Sequence, residues 1–381
     1  MDNPRARTHS WTMDPTQTPS LVHASTNELV AAEFGAGTAD RTGGAVRYLN
    51  TASQGLLPER SAAVLRTAVS EMTAGTLDMV RCFEQVDAAR ASFAALAGVA
   101  AEQVAVGTSV AVHVGLVAAS LPPGSRVLTV EGDFASVVNP FAVRDDLHVR
   151  AVPLAELADT VTADTDLVAF SAVQSADGRI ADLDGVRAAA RRHGCRTLVD
   201  ATQAAGWLPL DLGRFDYAVC GAYKWLLCPR GTSFLVVTDE SGPLLALHAS
   251  WVAGESPWEM CYGPVPRPAP GARRYDEPVP FLPYLAAAES LRLLAGIGVD
   301  RVAAHNTGLA ARFRAAASGA GLAVVPGDSA IVSLPGLGEE GRARAARAGV
   351  GVSVRAGDLR AAFHLYNTEA DADALLRALT A

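Results

Sequence analysis

The rhythm of apolar and polar positions changes several times along this chain. Over residues 1–45 no period is sustained. Thr, Ser, Pro, Ala and Gly dominate there, and a loosely held tail with one helix around Thr26–Phe34 is expected. From Val46 the pattern sharpens into a short strand over 47–50, then helical spacing of apolar residues over 58–79 and 86–97. Short β-branched runs then alternate with helical stretches. Strands are predicted over 104–106, 126–129, 148–152, 167–171, 197–200, 217–221 and 233–237, with helices over 110–121, 140–146 and 183–193 between them. Such alternation predicts an α/β fold built on a mostly parallel sheet with both faces covered.

Residues 239–280 lose this periodicity and carry many Gly and Pro. Beyond them the pattern predicts one long or broken helix over 283–317, strands over 323–325 and 330–334, and a helix over 339–348. Strands near 352–354 and 361–366 follow, then a last helix over 368–379 that Asn367 and Thr368 would cap. The expected division is a tail over 1–45, a large domain over 46–280 and a small C-terminal α/β domain over 281–381.

Composition narrows the classes of function. The 381 residues are half apolar and carry a net charge of −8, which argues against a nucleic-acid binder with its basic footprint. Cys82, Cys195, Cys220, Cys228 and Cys261 are odd in number and show no paired spacing. They read as reduced thiols of a cytoplasmic protein, with neither a disulfide framework nor a metal site. No apolar stretch follows the charges near the N-terminus, so neither a signal peptide nor a membrane span is expected.

Lysine usage changes the picture more. Of 32 basic residues one alone, Lys224, is lysine. A coding bias towards arginine explains the lysines that are missing, not the one that stays. Arginine replaces lysine as a surface charge but is a poor nucleophile that remains protonated. A lysine kept where a primary amine is needed is a Schiff-base candidate. Lys224 follows an apolar strand in Cys220-Gly221-Ala222-Tyr223-Lys224-Trp225, and an earlier strand, Leu198-Val199-Asp200, ends in an acid. In open parallel sheets ligands bind beyond the carboxyl ends of the strands, so the amine and the acid fall on one rim. That pair suits pyridoxal 5′-phosphate: the amine forms the Schiff base and moves the Cα proton, and the carboxylate keeps the pyridine nitrogen protonated. A structural ion pair, or Asp200 as a turn residue, is the alternative.

Residues 199–237 resemble the cofactor-binding core of class V aminotransferase-fold enzymes, a group that includes cysteine desulfurases, kynureninase, isopenicillin N epimerase-like proteins and C–S lyases. The matching residues are Asp200, Gln203, Pro209, Asp211, Tyr223 and Lys224, then the turn Pro229-Arg230-Gly231. The resemblance extends weakly over about 46–381. It implies fold type I, with a mostly parallel seven-stranded sheet in the large domain, a homodimer, and a small-molecule amino-acid substrate. Gln203 would then bond the ring oxygen and Tyr223 the phosphate. Thr108, Ser109 and Val110 would offer the phosphate a helix start, although Thr108 and Ser109 alone would read as an N-cap. Phe134 would stack on the ring, where its alternative is an ordinary core aromatic. Either Gln174 or Ser175 would add a ring contact.

Near the end, Arg360 precedes Phe363-His364-Leu365-Tyr366-Asn367-Thr368, which resembles the family's terminal motif. Arg360 would grip the substrate carboxylate through two parallel hydrogen bonds, with Arg355 as runner-up and His364 as a structural residue. Two departures stand out. Residues 335–359 hold no Cys, which argues against persulfide chemistry of the desulfurase kind. Asp276-Glu277 also stands where relatives place Gly with Thr or Ser for a neighbouring subunit's phosphate. That contact would be absent here, or be made by Arg273, Arg274 or Trp251. The expected activity is β-elimination of the C–S lyase type. The alternatives are transamination, epimerisation and a catalytically silent binding protein.

Overall fold

The computed structural model describes residues 26–35, 47–238 and 244–381. Most of the expected tail therefore lies outside the described residues. The helix expected within it, α1 (Thr26–Phe34), is present. It docks at one end through Glu33, which accepts from Arg60 Nε at 2.7 Å, and through Phe34, edge-to-face on Tyr366 at 5.2 Å.

The helix predicted over 58–79 ends five residues early, and the one predicted over 86–97 begins seven residues before its expected start. α2 (Glu59–Ala74) stops because Gly75 adopts a left-handed conformation at φ 70°. α3 (Met79–Ala97) starts afresh because Asp78 accepts the amides of Val80 and Arg81. The central sheet then follows: β2 (Val104–Gly107), β3 (Arg126–Val130), β4 (His148–Val152), β5 (Leu167–Ser171), β6 (Arg196–Asp200), β7 (Tyr217–Gly221) and β8 (Ser233–Val237). Its order is β2-β8-β7-β6-β5-β3-β4, parallel throughout except for β8, which runs antiparallel to both β2 and β7.

Alternate residues of each strand serve opposite faces. Val168, Phe170, Val199, Ala218 and Phe234 enter one core, and Leu167, Ala169, Leu198, Tyr217 and Leu235 the other. Helices α4 (Val110–Ser120), α5 (Ala135–Ala142) and α7 (Leu183–His193) connect the strands, with the short α6 (Leu157–Thr160) between β4 and β5. α5 begins five residues before the predicted start and carries Pro140 inside it, not at its opening. α7 is bounded as an amphipathic helix should be, by an Asp182 side-chain cap and a left-handed Gly194.

The predicted long helix is indeed broken: α8 (Phe281–Ile297) and α9 (Val299–Gly319) meet at Gly298 with a bend of 83°. α8 packs on α2 and α3, whereas α9 reaches β9 (Ile331–Leu334) and α11 (Glu369–Thr380). β9 (Ile331–Leu334), β11 (Ser353–Arg355) and β12 (Asp358–Ala362) form an antiparallel sheet in the order β11-β12-β9, flanked by α10 (Gly338–Arg347) and α11 (Glu369–Thr380). The two-residue β1 (Arg47–Tyr48) pairs in parallel with β10 (Val350–Gly351).

Two predicted strands need correction. Residues 323–325 form no strand. The strand expected to reach Tyr366 ends at Ala362, because Asn367 donates back to His364 O and accepts from His364 N, closing a turn.

Candidate active site

Three strand ends and one helix start build the site. β5, β6 and β7 finish side by side, and α4 opens after β2 at the same rim. Together with the β3–α5 loop they enclose a cavity of about 340 Å³ lined by Thr108, Ser109, Val110, Phe134, Ser175, Asp200, Thr202, Gln203, Tyr223, Lys224 and Arg230. The residues expected to touch the cofactor line this one space, but Thr108, expected at the phosphate, already gives its amide and its hydroxyl to Glu277.

Lys224 is 4% exposed, and among the described residues its amine has no hydrogen-bond or ion-pair partner. Its Nζ lies 5.1 Å from the Phe134 ring centroid and 5.6 Å from that of Tyr223. Burial pushes its pKa down to about 8, Asp200 resists the shift, and Arg360 and Arg230 reinforce it. An amine that is buried, unpartnered and partly neutral is costly unless something is to react with it. Close packing fixes its backbone: Gly55 N donates to Tyr223 O at 2.9 Å, and a Cβ at Gly55 would overlap Lys224 O.

Asp200 ends β6 and is buried. Burial drives its pKa up to about 6, against the hydrogen bond it accepts from Thr202 N at 2.8 Å and the charge of Lys224. Asp200 and Lys224 are not within ion-pair distance, so the simple structural pair is set aside. Phe134 is 43% exposed and faces the cavity, which is not the setting of a core aromatic. Asp133 anchors its loop to the end of β5, accepting from Ser171 N and Oγ, Gln174 Nε2 and Phe134 N.

The open choice between Gln174 and Ser175 is narrowed by that anchor. Gln174 is tied to Asp133 away from the cavity, and Ser175 lines it. Gln203 holds an unexpected set of partners. Its Nε2 donates to Ala52 O at 3.0 Å and to Ser175 Oγ at 2.9 Å, while its Oε1 accepts from Trp225 Nε1 at 2.8 Å. Both amide protons are therefore in use. Ser175 Oγ also accepts from Arg360 Nη1 at 3.2 Å. The serine's own proton is left to point into the cavity.

Arg360, on β12, is 1% exposed and has no acidic partner among the described residues. Its guanidinium donates to Ser175 O, to Ser175 Oγ, to Ser353 Oγ at 3.2 Å and to Ser53 Oγ at 2.9 Å. It stands one side chain behind the cavity wall. Arg355 donates to the same Ser53 Oγ at 3.0 Å, so two guanidiniums converge on one hydroxyl. Burial and the Arg355 charge together push Arg360 down to about 9. His364 is fully buried between Trp225 and Tyr366 and bonds Trp225 O at 3.0 Å, in the structural role expected.

Residues that sequence reasoning passed over include Ser53, Asp133 and Arg230. The Arg230 guanidinium lies 4.2 Å above the Tyr223 ring and lines the cavity. Its place in the Pro229-Arg230-Gly231 turn was the available signal. Of the groups considered for a phosphate contact across subunits, Arg273 donates to Gly254 O and Arg274 to Gly271 O, and Trp251 packs on Phe83 and Trp258.

The fold and this rim define the type I fold of pyridoxal-phosphate enzymes. The chain superposes on the cystine C–S lyase C-DES in complex with its product cysteine persulfide with a TM-score of 0.78 at 20% identity, covering 88% of this chain and 97% of that one. On C-DES with glycine covalently linked to the PLP cofactor the TM-score is 0.79 at 20% identity, over 88% and 96%. The aminotransferase class-V family model matches residues 74–318. Isopenicillin N epimerase of Amycolatopsis lactamdurans is 30% identical over 383 residues, 88% of this chain and 94% of that protein. The Bacillus subtilis (strain 168) uncharacterized aminotransferase YcbU is 28% identical over 270 residues, 68% of this chain and 71% of its own. The chain belongs to the class-V aminotransferase family and is a pyridoxal-phosphate-dependent enzyme.

The cavity fits that cofactor on its own evidence. It holds the amine of a buried lysine, open to the cavity and without a hydrogen-bond partner among the described residues, with a buried acid, an exposed ring and a helix start. Gly221 forms a cradle wall, where a Cβ would sit 3.2 Å from the Tyr223 ring.

Proposed function

We propose that the chain catalyses β-elimination from an L-amino acid or amino-acid conjugate, with cleavage of a C–S bond as the preferred case. When bound, pyridoxal phosphate supplies an aldehyde that condenses with amines and a protonated ring that draws electrons from the bonds at Cα. Lys224 would hold the cofactor. Freed by the incoming amino acid, its amine takes the Cα proton and can hand a proton to the group leaving Cβ. Asp200 would hold a proton at the ring nitrogen, and the start of α4 with Tyr223 would hold the phosphate. Arg360 would turn from the Ser53 and Ser175 oxygens to the substrate carboxylate, and Ser175, held by Gln203, would donate to the ring oxygen in the place expected of Gln203 itself. Phe134 would stack on the ring and keep water from it.

The observation that carries this reading is that one lysine and a ring without a titratable group line the same cavity. Lys224 is the basic side chain poised near neutrality at the cavity, and the covering ring of Phe134 can move no proton. Epimerisation through two opposed bases is disfavoured by that ring. Transamination uses the same single lysine and stands as the second reading.

The test is a set of S-substituted cysteines given to the cofactor-loaded enzyme. Elimination releases thiol and pyruvate in equal amounts, with ammonia. Formation of pyridoxamine phosphate with the substrate's own keto acid would instead establish transamination. Exchange of the Cα hydrogen with solvent and no released thiol would establish epimerisation.

A further inference from the structure

We propose that Glu277 sets how tightly the cofactor's phosphate is held, by keeping a fixed carboxylate on the donors beside the phosphate's own. The proposal rests on the assignment of Ser109 and Val110, at the start of α4, to that phosphate.

The residue before them, Thr108, is already engaged. Its amide donates to Glu277 Oε1 at 3.2 Å and its hydroxyl to Oε2 at 2.7 Å. The approach is built in. A Cβ at Gly107 would overlap Glu277 Oε1, so glycine at that position admits the carboxylate. The segment carrying Glu277 is pinned on its other side by Asp276. Asp276 pairs with Arg90 through both oxygens, at 3.1 and 2.7 Å, and accepts from Val106 N at 2.9 Å. Glu277 N donates to Val106 O as well. Among the described residues no arginine lies within ion-pair distance of Glu277, so backbone and hydroxyl dipoles alone answer its charge.

A phosphate on Ser109 Oγ and the Val110 amide would therefore meet a like charge one residue away. Thr108, whose side chain lines the cavity, could give it no donor while Glu277 stays. Repulsion between like charges at such range lowers affinity. Glu277 sits on Thr108, next to Ser109 and Val110, so its charge would act on the phosphate held there. Glu277 makes the cofactor more readily exchanged than the cradle by itself would.

Comparison of pyridoxal phosphate with pyridoxal isolates the phosphate. Both would be titrated into wild type and the variants E277Q, E277A and S109A, following quenching of tryptophan fluorescence, with circular dichroism to verify folding. Both Glu277 variants should bind pyridoxal phosphate tighter, on the order of tenfold, and pyridoxal as wild type does. S109A should lose affinity for pyridoxal phosphate only. Unchanged or weaker pyridoxal phosphate binding in both Glu277 variants, with S109A still phosphate-selective, overturns the role of Glu277. An S109A chain that binds both ligands as wild type does removes the cradle, and the proposal with it.

Discussion

At the scale of the residue, burial does more to Lys224 than any neighbour does. Water around an ammonium is replaced by the Phe134 and Tyr223 rings and the floor of the sheet, and the amine becomes easier to deprotonate. Condensation with an aldehyde needs the neutral amine. Capture of the cofactor should therefore speed up about tenfold per pH unit up to about 8, then level off. Stopped-flow absorbance at the Schiff-base band measures this directly, and a rate still climbing towards pH 10 would show an ordinary, solvated lysine. Lys224 and Asp200 were legible in the sequence because each ends an apolar run and the chemistry admits few other residue types. The pairing of Ser175 with Gln203 and Arg360 was not. Hydroxyls are common, and which one is left with a free proton depends on three segments far apart in the chain.

At the scale of the element, the working parts are the turns that follow strands. The turn after β7 carries Tyr223 and Lys224 and is pressed against Gly55, whose absent side chain makes room for Lys224 O and, at 2.7 Å from a built Cβ, for Leu227 Cδ2. Gly55→Ala should push that turn off its seat. It should cost about 1–3 kcal/mol of stability and weaken cofactor binding. Denaturant midpoints and a cofactor titration check both effects, and wild-type values for the two would contradict the close packing. Periodicity located these strands well, since a buried parallel strand is a short apolar run with little else to mimic it. It failed where chemistry interrupts a continuing pattern. Gly75 and Asp78 break an apolar rhythm that runs on through them, and the alternation of Phe363 and Leu365 imitates a strand that the His364–Asn367 turn has already closed.

At the scale of the molecule, the sheet and the small C-terminal layer meet over the site. Arg360 reaches from β12 to Ser175, beyond the end of β5, and to Ser53, near the start of the described core. The sequence indicated a two-faced, mostly parallel sheet. It did not reveal that β8 inserts antiparallel between β2 and β7, because a buried apolar run reads the same in either direction. The Lys224 turn, which joins β7 to β8, lies on the rim shared with Asp200 because β7 runs parallel to β6.

One lysine in the whole chain makes the central claim simple to test. Wild type and Lys224→Ala would be loaded with pyridoxal phosphate, reduced with borohydride, and weighed intact by mass spectrometry. One phosphopyridoxyl group per wild-type chain and none on the variant is the expected result. An unmodified wild type, or equal labelling of the two, would contradict it.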